Sequence, residues 1–96
     1  MTDDELKKCW PELGIVVAEL RRIGQVDVAD KLVNAFLSGT ASSEIVGHIG
    51  LLLRDHYTLR PQLSDSTLNA WDAIMADVSR AFRGSKFAQW LARLSR

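Results

Sequence analysis

The chain of 96 residues lacks the features that define several classes of protein. Its single cysteine, Cys9, excludes an intrachain disulfide, so its stability must come from packing. Two prolines and six glycines are too few for a collagen-like or low-complexity chain. No apolar run approaches the roughly 18–20 residues that span a bilayer, and the acidic N-terminus is unlike a signal peptide. We therefore expect one cytoplasmic domain without a membrane partner.

The chain also has no net charge, because twelve basic and twelve acidic side chains cancel. Without an overall field, strong attraction to nucleic acid is not expected. The two signs are nevertheless unevenly distributed. Residues 1–30 carry seven acidic and four basic side chains, whereas the chain after Asp77 has no acidic residue. That last part contains five basic residues, Arg80, Arg83, Lys86, Arg93 and Arg96.

Apolar residues recur every three or four positions along most of the chain, which is typical of helices with one buried face. The spacing predicts four main helices near residues 11–23, 27–38, 43–58 and 66–82, and a short C-terminal helix near 86–95. The predicted fold class is therefore an all-α compact bundle. Because the connection between the first two main helices is short, we expect them to form an antiparallel hairpin.

Local signals predict where several helices begin and end. Thr2 and Glu5 match a capping box for a short helix near 3–9, which Pro11 ends or kinks. Gly24 is expected to end the next helix in a left-handed conformation, and Asp27 to cap the one that follows. The pattern of the third main helix stops by residues 58–60, before Pro61.

The periodic apolar positions predict which side chains are buried. Along residues 6–23 these positions include Cys9, so we expect an inert buried thiol. Along residues 28–37 they end at Leu37. The complete predicted faces are Leu6, Cys9, Leu13, Val16 or Val17, Leu20 and Ile23; Val28, Ala29, Leu32, Val33, Phe36 and Leu37; and Leu68, Trp71, Ile74 or Met75, Val78 and Phe82.

Residues 45–53 are apolar or glycine except for His48. A helix that is apolar nearly all round lies inside a bundle with neighbours on more than one side. We therefore predict that the rest of the chain is organised around this helix. Gly47 and Gly50 each cost about 1 kcal/mol relative to alanine within a helix, so we expect them to allow close approach of a neighbour.

The histidines do not have the spacing of a metal site. His48 and His56 are eight residues apart, which places them about 80° apart around a helix and about 12 Å apart along it. Glu44 and His48 could contact one ion, but a site needs three or four ligands, so we interpret them as an exposed helix pair. We expect no metal and no cofactor.

Catalytic signatures are not recognisable either. No glycine-flanked serine elbow is present, and Gly47 and Gly50 lie within an apolar helix instead of in a phosphate loop. Asp72 and Asp77 are about 140° apart around a helix and face differently. We therefore predict that the protein is not an enzyme and has no catalytic residues.

The turn at residues 37–44 has the outline of a helix-turn-helix. A recognition helix must expose side chains that contact base edges, and the helix after this turn has almost no polar residues. The basic C-terminal segment alone would bind phosphate only weakly and in a salt-sensitive way. A small helical nucleic-acid-binding regulator is therefore the third hypothesis for function.

The C-terminal segment combines an apolar stripe with basic residues. Phe87, Trp90, Leu91 and Leu94 form the stripe, and aromatic residues are enriched where proteins bind tightly. The stripe either docks on its own bundle or forms an interface. The interface would be self-association, binding in the groove of another protein, or contact with a membrane surface. Our candidate partner-binding residues here are Phe87, Trp90 and Leu94.

The second candidate surface is acidic and consists of Glu12, Glu19, Asp27 and Asp30. It is either a solvated helix face or a negative patch that attracts a basic partner such as a nuclease. Two motifs resemble sequences of small all-helical bacterial immunity proteins. They are Glu-Leu-x5-Glu-Leu-Arg-Arg-x-Gly at 12–24 and Ala-Asp-Lys-Leu at 29–32. The resemblance implies a protein that neutralises a toxin by binding it. The rival hypothesis is a homodimeric structural or scaffolding protein.

Overall fold

The computed structural model describes residues 2–39 and 42–81. Within these residues every element is helical, which confirms the predicted all-α compact bundle. The α-helices are α1 (Asp3–Cys9), α2 (Pro11–Arg22), α3 (Val26–Ser38), α4 (Ser42–Asp55) and α5 (Asp65–Ala81). A 3₁₀ helix, Tyr57–Gln62, connects α4 to α5. The predicted helix near 86–95 lies outside the described residues.

The chain breaks between α1 and α2 as the sequence predicts. Thr2 caps α1, because its side-chain oxygen accepts a hydrogen bond from the backbone N–H of Glu5 at 3.2 Å. Trp10 has a non-helical φ of −145°. Pro11 then occupies the first turn of α2, where its missing N–H breaks no hydrogen bond within the helix.

The turn from α2 to α3 is built on Gly24, whose φ of +87° confirms the predicted left-handed end. The N–H of Gln25 donates to the C=O of Leu20 at 2.8 Å. This tight turn lets the chain re-enter a helix at Val26, with Gln25 at the N-cap. The prediction that Asp27 caps this helix is therefore wrong. Asp27 lies inside the first turn, where its charge still favours the helix N-terminus.

Four helices form a ring in which each packs against two neighbours. α2 packs against α3 and α5, α4 packs against the same two helices, and α1 packs on α2. The neighbours predicted for α4 are therefore present on two sides. However, α2 has three helical neighbours and buries five of its twelve residues, so α2 and not α4 organises the described bundle.

Two glycines allow helices to approach closely. A Cβ atom on Gly50 would lie 2.8 Å from Cγ1 of Val78, which confirms the close approach predicted for this glycine and identifies α5 as the neighbour. A Cβ atom on Gly14 would lie 2.7 Å from Cα of Lys7, so α2 also meets the backbone of α1. The spacing of residues in the sequence does not predict this second contact.

Most members of the predicted apolar faces that the structure describes are buried or half-buried, but two are exposed. The predicted member Phe82 lies outside the described residues. Cys9 is exposed, which contradicts the predicted buried thiol. The break at Pro11 turns α1 relative to α2, so a stripe traced across the break does not stay on one face. Leu37 is 51% exposed although it continues the periodicity of α3. The buried core comprises Leu6, Leu13, Val16, Val17, Leu20, Val28, Ala29, Leu32, Ala35, Ile49, Leu53, Leu63, Ala70, Trp71, Ile74 and Val78.

The third main helix ends earlier than residue 58, the predicted limit. α4 stops at Asp55 and the chain tightens into a 3₁₀ helix that contains Pro61. Proline supplies no N–H and restricts the residue before it, so a regular α-helix cannot run into this position. In the part of the chain that the structure describes, no helix is both long and apolar enough to cross a bilayer.

Candidate protein-binding surfaces

Glu19 connects α2 to the start of α5. Its carboxylate accepts hydrogen bonds from the backbone N–H of Ser64, from the Ser64 hydroxyl at 3.0 Å and from the Thr67 hydroxyl at 2.9 Å. Thr67 is only 2% exposed, and the side chain of Glu19 is 10% exposed. Glu19, which the sequence predicts on an acidic surface, therefore faces the start of α5.

The same contacts determine the charge state of Glu19. The hydrogen bond from the Ser64 backbone lowers the pKa of Glu19 to about 2, with support from the Thr67 and Ser64 side chains and from Arg22, although burial opposes the shift. The carboxylate also lies at the N-terminus of α5, where the helix dipole favours a negative charge. Glu19 therefore remains charged at neutral pH and stabilises the packing of α5.

Arg21 joins α1, α2 and α3 through two carboxylates. Its Nε lies 2.7 Å from Asp3 Oδ2, and its Nη1 lies 2.9 Å from Asp30 Oδ1. Hydrogen bonds that its guanidinium donates to these carboxylates raise the pKa of Arg21. The side chain of Asp30 remains 55% exposed, so it is accessible to a partner while it neutralises Arg21.

The structure divides the four predicted acidic residues instead of gathering them. Glu12 and Glu19 are seven residues apart in α2, which places them about 20° apart on one face. Arg21, whose guanidinium binds Asp30, is separated from Glu19 by an angle of about 160° around the axis of α2. Asp30 and Glu19 thus lie on different sides of α2. Asp27 is exposed in the first turn of α3. A role for any of these residues in partner binding stays a prediction.

The other candidate residues, Phe87, Trp90 and Leu94, lie outside the described residues, and so do positions 40 and 41 of the predicted helix-turn-helix. The exposed positions of α4 include Glu44, His48 and Asp55. Two of these three are acidic, which is a poor set for contact with DNA. Over residues 2–39 and 42–81, no three or more His, Cys, Asp or Glu side chains cluster closely enough to hold a metal ion.

A cluster that the sequence analysis missed lies on the 3₁₀ helix. The Arg60 guanidinium is 2.8 Å from the Asp72 carboxylate and lies 5.6 Å from the ring centre of Tyr57 and 5.7 Å from that of Trp71. Cation–π attraction and the ion pair together hold Arg60 in place. Trp71 is buried at 2% exposure, whereas Tyr57 is 60% exposed.

The cluster therefore exposes the ring of Tyr57 next to an arginine that is held in place. We call these four residues the Tyr57 platform (Tyr57, Arg60, Trp71 and Asp72). Tyrosine, tryptophan and arginine are the residues most enriched at binding hot spots. A local signal exists in the sequence, since Tyr57 and Arg60 are one helical turn apart. The contacts with Trp71 and Asp72 span more than ten residues and depend on how the 3₁₀ helix packs against α5.

Comparison with models of protein families, with characterised proteins and with solved structures finds no match to this chain.

Proposed function

We propose that the protein is a non-enzymatic binding module for a basic protein, and most concretely that it neutralises a basic toxin. The observation that carries the proposal is the charge of the described residues. They contain twelve acidic and eight basic side chains, whereas the remaining four basic residues, which bring the net charge of the chain to zero, all follow residue 81. A negative surface attracts a basic partner and speeds its association.

The ion pairs of the bundle leave part of this negative charge uncompensated. Each of the five arginines in the described ranges is already paired with a carboxylate. Five exposed or half-buried acidic residues form no ion pair with a described residue, namely Asp4, Glu5, Glu12, Asp27 and Asp65. These five supply charge that a basic partner can complement.

The Tyr57 platform supplies the contact area that charge alone lacks. Charges at the edge of an interface mainly set association rate and specificity, whereas buried aromatic anchors account for most of the affinity. Tyr57 is 60% exposed and is held by Arg60, so it loses little side-chain entropy when a partner covers it. We assign Tyr57 as the central contact and the acidic residues as a source of long-range attraction.

The test is direct binding of the full chain to a panel of catalytic domains from basic bacterial nuclease toxins, measured by biolayer interferometry at 50 and 300 mM salt. We expect at least one domain to bind, with lower affinity at the higher salt concentration. Tyr57→Ala should weaken that binding by roughly thirtyfold, as for a hot-spot residue. Thr58→Ala, at the neighbouring exposed position, is the matched control and should change affinity less than threefold.

Two results would contradict the proposal. The first is that no domain of the panel binds even at 50 mM salt. The second is that binding occurs but neither salt nor Tyr57→Ala weakens it, which would place the interface elsewhere. Circular dichroism of each variant establishes that the helices are intact before affinities are compared.

A nucleic-acid-binding function receives less support, because the chain has no net positive charge and acidic side chains outnumber basic ones over residues 2–81.

A further inference from the structure

Gly47 is buried although it lies away from the side of α4 that faces the core. Around α4, Gly47 is about 160° from Ile49, which belongs to the core, and about 60° from Gly50, which contacts Val78 of α5. A glycine has no side chain that could shield its own backbone. The burial of Gly47 therefore requires atoms of another part of the chain to lie over α4 at this position.

The two helices that pack on α4 do not account for this burial. α3 packs on the opposite side, where Gly39 lies against Ile45, and Ile45 is about 160° around α4 from Gly47. Positions 79–81, at the end of α5, are all exposed, so the last described turn of α5 does not lie over Gly47. Positions 40 and 41 only join Gly39, on the α3 side, to the start of α4. The cover therefore comes from the chain beyond Ala81.

The same side of α4 continues through Leu51 and Arg54. With Gly47 they lie within about 60° of one another, along a length of about 10 Å, and we call these three residues the Gly47 side of α4. Leu51 is half-buried, yet unlike Leu52 it is not among the partly buried apolar residues that pack against the described core. The burial at Gly47 thus extends along α4, as expected when a whole element lies on this side.

The described chain ends close to the Gly47 side. Gly50 contacts Val78, and Gly47 and Ala81 each lie three residues, or about 4.5 Å along a helix, from that contact. With helix axes 8–10 Å apart, the two positions are at most about 14 Å from each other along and between the axes. From Ala81 to position 86 the chain can span up to about 18 Å. The segment that follows α5 can therefore reach the Gly47 side of its own chain.

The segment has the length and the apolar content that such a cover needs. The helix predicted near 86–95 would place four large apolar residues within about 100° of one another, namely Phe87, Trp90, Leu91 and Leu94. From the first to the last of them is about 10 Å, which equals the length from Gly47 to Arg54. A segment joined to its site by a short linker has an effective concentration in the millimolar range, so it binds in preference to the segment of a second copy.

We propose that residues 86–95 pack on the Gly47 side of α4 in the same chain, with their apolar stripe against Gly47 and Leu51. Gly47 has no Cβ, so an aromatic ring can approach the backbone of α4 there. Phe87, Trp90 and Leu94 then belong to the fold and are not available to a partner. The inference goes beyond the proposed function and does not rest on it, because the Tyr57 platform consists of other residues.

The test measures how fast a single thiol on α4 reacts with an aromatic disulfide reagent in the full chain. Cys9→Ser removes the native exposed thiol, and either Leu51→Cys or His48→Cys then supplies a new one. His48 is exposed and lies about 60° around α4 from Leu51, so it is the matched control. We expect the Leu51→Cys chain to react at least about tenfold more slowly than the His48→Cys chain, because local opening must precede its reaction.

A second substitution in the segment identifies the cover. Adding Trp90→Asp to the Leu51→Cys chain should speed the reaction at least about tenfold, because an unpaired charge is costly to bury. Gln89→Asp, on the opposite side of the predicted helix, should leave the rate unchanged. Circular dichroism checks that the helices are intact. If Trp90→Asp disrupts them, the milder Leu94→Ala takes its place and should speed the reaction at least about threefold.

The dependence of the rate on protein concentration separates the same chain from a second copy. A contact within one chain predicts a Leu51→Cys rate that stays constant over a dilution series. A rate that rises on dilution would assign the cover to a second copy and overturn the proposal. Equal rates for the Leu51→Cys and His48→Cys chains, or a Leu51→Cys rate that substitutions at Trp90 and Leu94 leave unchanged, would overturn it as well.

Discussion

The contact between Gly50 and Val78 gives a quantitative test of how α4 packs on α5. In a Gly50→Ala variant the new Cβ would lie 2.8 Å from Cγ1 of Val78 and 3.0 Å from Cγ2. Real Cβ contacts are longer, so something must move. Val78 is fully buried and β-branched, and its side chain has little freedom to move aside.

Two opposing terms set the expected change in the free energy of unfolding. Alanine is favoured over glycine within a helix by about 1 kcal/mol. Overpacking a tightly packed core costs about 1–3 kcal/mol. The second term should win, so we expect Gly50→Ala to destabilise the protein by about 1 kcal/mol. Val78→Ala alone should cost about 2 kcal/mol, because it removes two buried methyl groups.

The double variant separates the two terms. Without the Val78 methyl groups the clash is gone, so adding Gly50→Ala to Val78→Ala should stabilise the protein by about 1 kcal/mol. The coupling between the two sites is then about 2 kcal/mol, measured by urea denaturation of all four chains. Additive effects, with Gly50→Ala stabilising in both backgrounds, would refute the close approach of α4 and α5.

Four further predictions concern single residues. Glu19→Gln should lower stability at pH 7. The pKa of Glu19 is about 2 in the folded chain and about 4.3 when unfolded, so the difference in unfolding free energy between the wild type and the variant should shrink as pH falls from about 5 towards 2. Parallel profiles of unfolding free energy against pH would contradict this. Gly24→Ala should cost about 1 kcal/mol in thermal unfolding because φ is +87°, with Gly24→Asn costing less; equal costs would be evidence against a left-handed cap. Arg21→Met should cost about 1 kcal/mol in low salt and less in high salt, as expected of partly exposed ion pairs, and a salt-independent cost would argue against them. Cys9 should react with an aromatic disulfide reagent without unfolding, whereas a thiol that reacts only in denaturant would contradict its exposure.

The sequence was sufficient for features that depend on neighbours along the chain. The cap at Thr2, the break at Pro11 and the left-handed Gly24 each follow from the chemistry of one residue and the few around it. The helical periodicity also identified most of the core. These features are local, so one sequence contains the information that they require.

Features that depend on how helices meet could not be predicted in the same way. Cys9 was assigned to a buried face because its spacing continued across Pro11, but the break changes the direction of the chain. The identity of the organising helix depends on which element has three neighbours, and apolar content favoured α4 over α2. The outward turn of Leu37 is likewise a property of the ring.

The candidate sites show the same limit. Glu19 was predicted as part of an acidic surface, and its contacts with Ser64 and Thr67 lie 45 and 48 residues away along the chain. The Tyr57 platform depends on Arg60 reaching α5. No spacing rule connects such positions, so the structure was needed to separate the acidic residue that stabilises the bundle from the tyrosine that is available to a partner.

The most direct test of the proposed function is protection of bacterial cells that express a basic nuclease toxin. The full chain, its Tyr57→Ala variant and the Thr58→Ala control would each be co-expressed with every toxin of the panel, and growth would be measured. The account predicts that the wild-type chain and the control restore growth against at least one toxin, and that Tyr57→Ala does so poorly at equal expression. Failure of the wild-type chain against every toxin, or full protection by Tyr57→Ala, would contradict it.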